Sequence, residues 1–490
     1  MHPFKYARVE WLFSLYLSVF VVLEFSQLCS SRYISLPLNR RKGNAWRSRR
    51  FLSANANTFK DYQTLWREPD DVYYTEINVG RGTSNRQKFS VIVDTGSTTI
   101  ALPCLGCNNC GSQHNHFDQT KSTSVKTTQK VYSQCYGEGS CNQGLFYEDL
   151  MCIGTTCPDS ESARVEFGCC TSYSSNFKVQ KADGIIGISK GQTLIKKLQE
   201  IHSLENYQFA LCLGRKDGTF SIGGYDQKRH VDPIAWTPLH YPSGIFYAAE
   251  IQTVLIGGQN LEGVNAFPNP IFDSGTSYTF LPTKVFNVIK PAFDAFCSAS
   301  LGHCLHKVKN PPGTQTIDKR YSLGCYGKLD DAMKDTFPGI TFEFVGGATL
   351  CIPPRAYFFE YDRISCIGIS RDVDQEQFML GANAMVDHNV VFDLGQNKLG
   401  IAVSKCDHES THMGLASCKG GITKHLSPSP LSENEAPTTK PPKGTKTLPS
   451  VGSPLGVSIF ASAFLCFLAP IIRLVWILID RTLVGRCQDF

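Results

Sequence analysis

Two short stretches place an aspartate where it can exchange protons with another molecule. In VIVDTGSTTIALPC, residues 91–104, Asp94 follows an apolar run and precedes Thr95, Gly96 and Ser97. It therefore sits where a buried strand turns sharply, and Gly96 tolerates backbone angles that residues with a Cβ avoid. Taken alone, Asp-Thr-Gly is also ordinary turn chemistry. The second stretch, PIFDSGTSYTFLP at residues 270–282, repeats the pattern with Asp273, Ser274, Gly275 and Thr276 and ends, like the first, in apolar-Leu-Pro. Two such half-sites about a domain's length apart indicate a duplicated chain, each half supplying one carboxylate to a site between the halves.

The elements that must position this pair read as strands. From DVYYTEINVG onward, short strand patterns alternate with Gly, Asn and Ser turns, giving an all-β body. Two helical patterns interrupt it. LIKKLQEIHSL puts Leu194, Ile195, Leu198 and Ile201 on one face, and KVFNVIKPAFDAF does the same with Val285, Phe286 and Ile289. At 490 residues, 42% hydrophobic and 19% charged, the chain is globular with room for two or three domains. A net charge of +5 with scattered basic residues gives nucleic-acid binding little support.

Twenty cysteines point to an oxidising compartment. Seventeen of them lie from Cys104 to Cys418, an odd number, so at least one thiol stays free if the rest pair. CLGCNNC, from Cys104 to Cys110, has the Cys-x-x-Cys spacing of a zinc site, but no second paired set follows, so disulfides are the better reading. No metal or cofactor is expected. No Asn-x-Ser/Thr acceptor occurs.

Residues 1–30 read as a secretory signal peptide: His2, Lys5 and Arg8 precede the apolar WLFSLYLSVFVVL, and small or polar residues follow. An uncleaved anchor is the alternative. Residues 31–70 read as a leader, basic at NRRKGNAWRSRR, which fits a pro-segment or a plain solvated arm. Residues 407–453, rich in Pro, Ser, Thr and Lys, form a stalk. Residues 454–479 form a transmembrane helix that leaves a short tail at 480–490, and the signal peptide orients it with the body outside the cytosol.

Four further segments resemble those of the pepsin-like aspartic proteases. YGEGS at 136–140 looks like the family's flap, ADGIIGIS at 182–189 and FMLGANAM at 378–385 resemble the strands crossing behind each catalytic loop, and VVFDLGQNKLGIA at 390–402 matches the closing hairpin of the second lobe. The resemblance implies a bilobal fold, with lobes at 71–235 and 236–406 and a Cys-rich insertion at Cys104. It implies a monomeric catalytic unit that acts on peptide or protein substrates, with Asp94 and Asp273 as the catalytic pair. Two carboxylates a few Å apart cannot both ionise cheaply, so they share a proton. One takes a proton from a water wedged between them while the other donates to the peptide carbonyl, without an acyl-enzyme. Thr95 and Ser274 would tie the two loops together, and Ser97 and Thr276 would support the carboxylates from outside. The resemblance also implies a disulfide between Cys325 and Cys366.

Departures narrow the comparison. Ala101 stands where many relatives have Trp. The Cys-rich insertion, stalk and C-terminal helix are most similar to the plasmepsin V-like branch, endoplasmic-reticulum proteases of apicomplexan parasites that cut export signals. That resemblance implies an endoplasmic-reticulum membrane location with a lumenal body, the later secretory pathway or cell surface being the alternative. It implies substrate contacts from Tyr136, Glu138 and Gly139, with Glu138 taking an arginine three positions before the cut, and it adds Gln180 as a neutral acceptor. A β-secretase-like sheddase shares the membrane plan. A catalytically dead pepsin-like binding protein is a rival that the two intact motifs disfavour.

Overall fold

The computed structural model describes residues 60–67, 418 and 72–407, the last with gaps at 83–84, 112–113, 138–139, 155–157, 179, 203, 205, 262–266, 300–322, 362 and 373–375. The candidate signal peptide, most of the leader and stalk, and the candidate span at 454–479 lie outside the described residues. Among the described residues no helix is long and apolar enough to cross a membrane.

The two aspartate motifs build the same small unit twice. In the first, the strand Gln87–Asp94 carries Val91, Ile92 and Val93, β-branched residues buried on both faces. It pairs in parallel with Gly184–Gly187, Asp94 lying opposite Gly187. That short strand also pairs, antiparallel, with Ile100–Asn108. In the second unit Ile271–Phe272 runs parallel to Met379–Leu380, which pairs antiparallel with Thr279–Pro282. Each unit is thus a strand, a turn bearing the aspartate, a returning strand, and a distant apolar strand threaded between them.

A single thirteen-stranded sheet joins the two halves. Within it Gln208–Leu213 pairs with His388–Asp393, and there Phe209 stacks on Phe392 with ring centroids 4.6 Å apart. Tyr247 adds a second tie, donating from its hydroxyl to the Ile188 carbonyl at 2.9 Å. The Cys212–Cys406 disulfide closes a separation of 194 residues across the same junction. Closing so long a loop stabilises by roughly 5 kcal/mol in the chain-entropy account.

Two expectations change here. Residues 60–67, read as part of the leader, form the strand Lys60–Arg67, because the edge of Asp217–Ile222 offers a ladder that its backbone completes. Leu194, Ile195 and Leu198 of the helix Leu194–Ile201 are buried, but Ile201, at its last position, is 37% exposed. The helix ends before that side chain can turn inward. In the Cys-rich insertion Cys107 bonds Cys110 and Cys104 bonds Cys169, leaving those thiols no role as zinc ligands. Cys325 and Cys366 face each other across paired strands and are bonded. Among the described residues the free thiol is the buried Cys170.

One buried group ties stability to pH. His388 is fully buried; its Nδ1 hydrogen-bonds the Val386 carbonyl at 2.8 Å and its Nε2 accepts from the Cys351 amide at 3.4 Å. That pair of contacts suits only the neutral ring. Burial lowers its pKa from 6.5 to about 4. Above pH 6.5 neither state carries the proton; as pH falls toward 4 the unfolded chain binds it and the folded chain does not. The fold therefore loses up to about 3 kcal/mol over that window. In urea unfolding at pH 7 and pH 4, His388→Gln, which keeps a donor and an acceptor, should lose about that much less stability than the natural protein. Equal losses in the two proteins would rule His388 out as the cause.

Candidate active site

The turn after each central strand carries its aspartate into a shared, buried place, and the two turns hold each other by a reciprocal set of hydrogen bonds. The Thr95 amide donates to Ser274 Oγ at 3.1 Å, and the Ser274 amide to Thr95 Oγ1 at 2.9 Å. Each hydroxyl then passes its own proton into the opposite half, Thr95 to the Phe272 carbonyl at 2.8 Å and Ser274 to the Val93 carbonyl at 2.7 Å. Four bonds between buried loops fix their separation without any metal or charge.

The carboxylates are supported alike. The Gly96 amide donates to Asp94 Oδ1 at 2.8 Å, and the Ser97 hydroxyl donates to Oδ2. The Gly275 amide donates to Asp273 Oδ1 at 3.0 Å, and Thr276 Oγ1 to Oδ2 at 2.6 Å. Burial, and after it the adjacent Asp273 carboxyl, push Asp94 well above the usual carboxylate range, against the opposing bonds from Ser97 and Gly96. The neutral form is favoured at Asp94, so a proton resides in the pair.

Glycine is required at both turns for room. A Cβ on Gly96 would stand 2.6 Å from Asp273 Cγ, and one on Gly275 would stand 2.4 Å from Asp94 Oδ1. The threaded strands are shaped by the same constraint. The Ser189 amide donates to the Ser97 carbonyl at 2.9 Å and the Ala382 amide to the Thr276 carbonyl at 2.7 Å, with Gly187 and Gly381 passing close beneath.

The remaining candidates scatter. Tyr136 follows the strand Lys126–Cys135, and the strand Cys141–Ile153 returns opposite it; Cys135 and Cys141 are paired and bonded, and the Tyr136 amide donates to the Ser140 carbonyl at 2.9 Å. Burial, and next the Asp94 carboxyl, raise the pKa of its phenol. Gln180 is half-buried and donates from its amide to the Ala182 carbonyl at 3.0 Å, bracing the approach to Gly184–Gly187. Glu138 and Gly139 lie outside the described residues. Sequence reasoning missed Tyr132, Asn142 and Phe177, which underlie Tyr136. An Asn between Cys141 and Gln143 carries no sign that its strand face is buried.

Paired Asp-hydroxyl-Gly turns locked across two similar β-units define an aspartic peptidase. The chain belongs to the eukaryotic aspartyl protease family, whose model matches residues 72–404. It is similar to gastricsin of Homo sapiens, 23% identical over 78% of this chain and 98% of that one. A vacuolar aspartic protease of Candida albicans is 25% identical over 68% of this chain and 75% of its own length. Aspartic protease 5 of Toxoplasma gondii is 29% identical, over 33% of this chain and 20% of its own. The protein is an aspartic endopeptidase, a hydrolase acting on peptides or proteins.

Proposed function

We propose that this endopeptidase is membrane-anchored, works on proteins of the secretory pathway, and uses Asp94 and Asp273 as its catalytic pair. The observation that carries the choice of residues is the reciprocal Thr95–Ser274 lock, which sets one carboxyl against the other. The pair shares one proton at rest, because burial and the facing carboxyl disfavour two charges there. One carboxyl takes a proton from the attacking water while the other donates to the carbonyl oxygen of the substrate. The two then exchange roles to protonate the leaving amine. Ser97 and Thr276, with the Gly96 and Gly275 amides, keep each carboxyl aimed through the cycle.

The finer reading is a plasmepsin V-like processing of export or targeting motifs with arginine three positions before the cut and leucine at the cut. Its support is the flap sequence YGEGS, the Cys-rich insertion and the partial likeness to the Toxoplasma gondii relative. An arginine guanidinium offers Glu138 two parallel charge-assisted hydrogen bonds, worth about 1.5 to 3 kcal/mol in a dried contact. Gln180 adds a neutral acceptor to the same pocket. Peptides with arginine there should be cut about one to two powers of ten better than those with alanine, and Glu138→Gln should erase most of that ratio while sparing the alanine peptide. Paired assays of both peptides with both enzymes decide it. An unchanged ratio in the variant leaves Glu138 a solvated turn residue and favours the sheddase-like alternative.

Anchoring by 454–479 with a lumenal body makes a separate demand. Protease added to sealed microsomal vesicles should spare the body and remove at most the tail at 480–490, and digestion of the body would reverse the orientation.

A further inference from the structure

Beneath the Tyr136 ring lies a set of buried polar atoms that the proposed reaction does not use. The ring packs 5.0 Å from Phe177, in a cluster with Ala101, Tyr132, Cys170 and Tyr173. Asn142, on the returning strand Cys141–Ile153, is 0% exposed. The Tyr132 hydroxyl donates to Asn142 Oδ1 at 2.6 Å, so the oxygen end of the amide faces Tyr132. Its NH2 end is then a buried donor without a partner, and the Tyr136 hydroxyl is a second buried polar atom without one.

Orphans of this kind are unfavourable and call for an explanation. These two are complementary, since the amide supplies N–H donors and a phenol oxygen can accept. They are also neighbours: Asn142 is bonded to the Tyr132 hydroxyl, and the Tyr132 ring lies in the cluster that packs the Tyr136 ring; side-chain contacts with Asn142 and Tyr132 accordingly oppose the rise that burial and Asp94 impose on the Tyr136 phenol. Other polar groups of the cluster are engaged elsewhere. Tyr173 donates to the Asp183 carbonyl at 3.2 Å, and the Cys170 thiol to the Gly168 carbonyl at 3.6 Å.

We propose that Asn142 is the positioning residue for Tyr136, its NH2 group, oriented from behind by Tyr132, donating to the Tyr136 oxygen when a peptide seats against that ring. Hydrogen bonds of this sort are often wide in an empty site and shorten in the substrate complex. The donor is held on a strand rather than a loop, and its rotamer is set by Tyr132, so it fixes the phenol's place over the cleft. The inference rests on Tyr136 facing substrate, as the resemblance to the flap implies.

A double-mutant cycle on peptide cleavage tests it. Asn142→Leu and Tyr136→Phe should each lower kcat/KM about tenfold, mainly through KM, and the double variant should be within about twofold of the worse single one. Tyr132→Phe, which keeps the amide but lets it turn, should lower kcat/KM about threefold in the natural protein and have no further effect beside Asn142→Leu. Losses that multiply, or an Asn142→Leu enzyme within twofold of the natural one, overturn the role of Asn142. Should Asn142→Leu fail to fold, the cycle of Tyr132→Phe with Tyr136→Phe is read by the same criterion. Asp94→Asn run alongside separates the readings: activity retained there undoes the proposed catalytic pair, whereas multiplying losses undo only the role of Asn142.

Discussion

Asp94→Asn and Asp273→Asn should each lower kcat for peptide cleavage by roughly 10² to 10⁴ while leaving the protein folded. Each substitution leaves one carboxyl, which can serve as base or as acid but not as both within a single turnover. Little stability should be lost. Asparagine matches aspartate in shape, and at Asp94 it removes a charge that burial and the facing Asp273 already disfavour. One amide oxygen can accept from the Gly96 N–H, and the Ser97 hydroxyl can turn to accept from the new NH2 group. Asp94→Asn should therefore unfold in urea at pH 7 at a midpoint no lower than that of the natural protein. Activity above a tenth of the natural level in either purified variant would remove that residue from the pair. A collapse of the urea midpoint would instead assign it a structural role.

The aspartate motifs were legible because their demands are local. An apolar strand, a turn, a hydroxyl and a glycine follow one another within a few residues, and the second copy turns an ordinary turn into half of a site. The threaded strands were readable for a related reason. Gly187 and Gly381 lie where a side chain would strike the carbonyls of the catalytic turn, so the apolar-apolar-Gly signature reports a steric need. What escaped depends on partners far along the chain. Residues 60–67 become a strand mainly by pairing along Asp217–Ile222, across some 150 positions that no local pattern encodes. Ile201 fits the helical periodicity, yet its place at the helix end leaves it in solvent. Nothing beside Asn142 in the sequence marks it as buried; only the fold brings it against the Tyr132 hydroxyl. The pairing of Cys325 with Cys366 came from resemblance alone, since spacing cannot choose among so many cysteines.

Gly275→Ala should be nearly as damaging to activity as loss of an aspartate, although it changes no functional group. Neither Gly275 nor Gly96 has a left-handed backbone, so alanine meets no conformational penalty there and the whole effect is steric. The added methyl would lie 2.4 Å from Asp94 Oδ1 and 2.6 Å from its Cγ, closer than real side-chain contacts allow. Relief by rotating Asp94 would break its bonds from Ser97 and Gly96, and relief by shifting the loop would break the Thr95–Ser274 lock. Either way the carboxyls part by a large fraction of an ångström, and displacements near 1 Å can cost about 10² in rate. The accompanying loss of stability should be about 1 to 3 kcal/mol, typical of an overpacked site and small beside the effect on turnover. Gly96→Ala, whose methyl would meet Asp273 Cγ at 2.6 Å, should behave alike because the two turns mirror each other. Gly395→Ala is the matched control, its nearest neighbour standing at 3.5 Å, and its activity should stay within about twofold of the natural level. If purified Gly275→Ala kept kcat within fivefold of the natural protein, the two carboxyls would have to tolerate separation, and the close shared-proton arrangement could not be the source of catalysis.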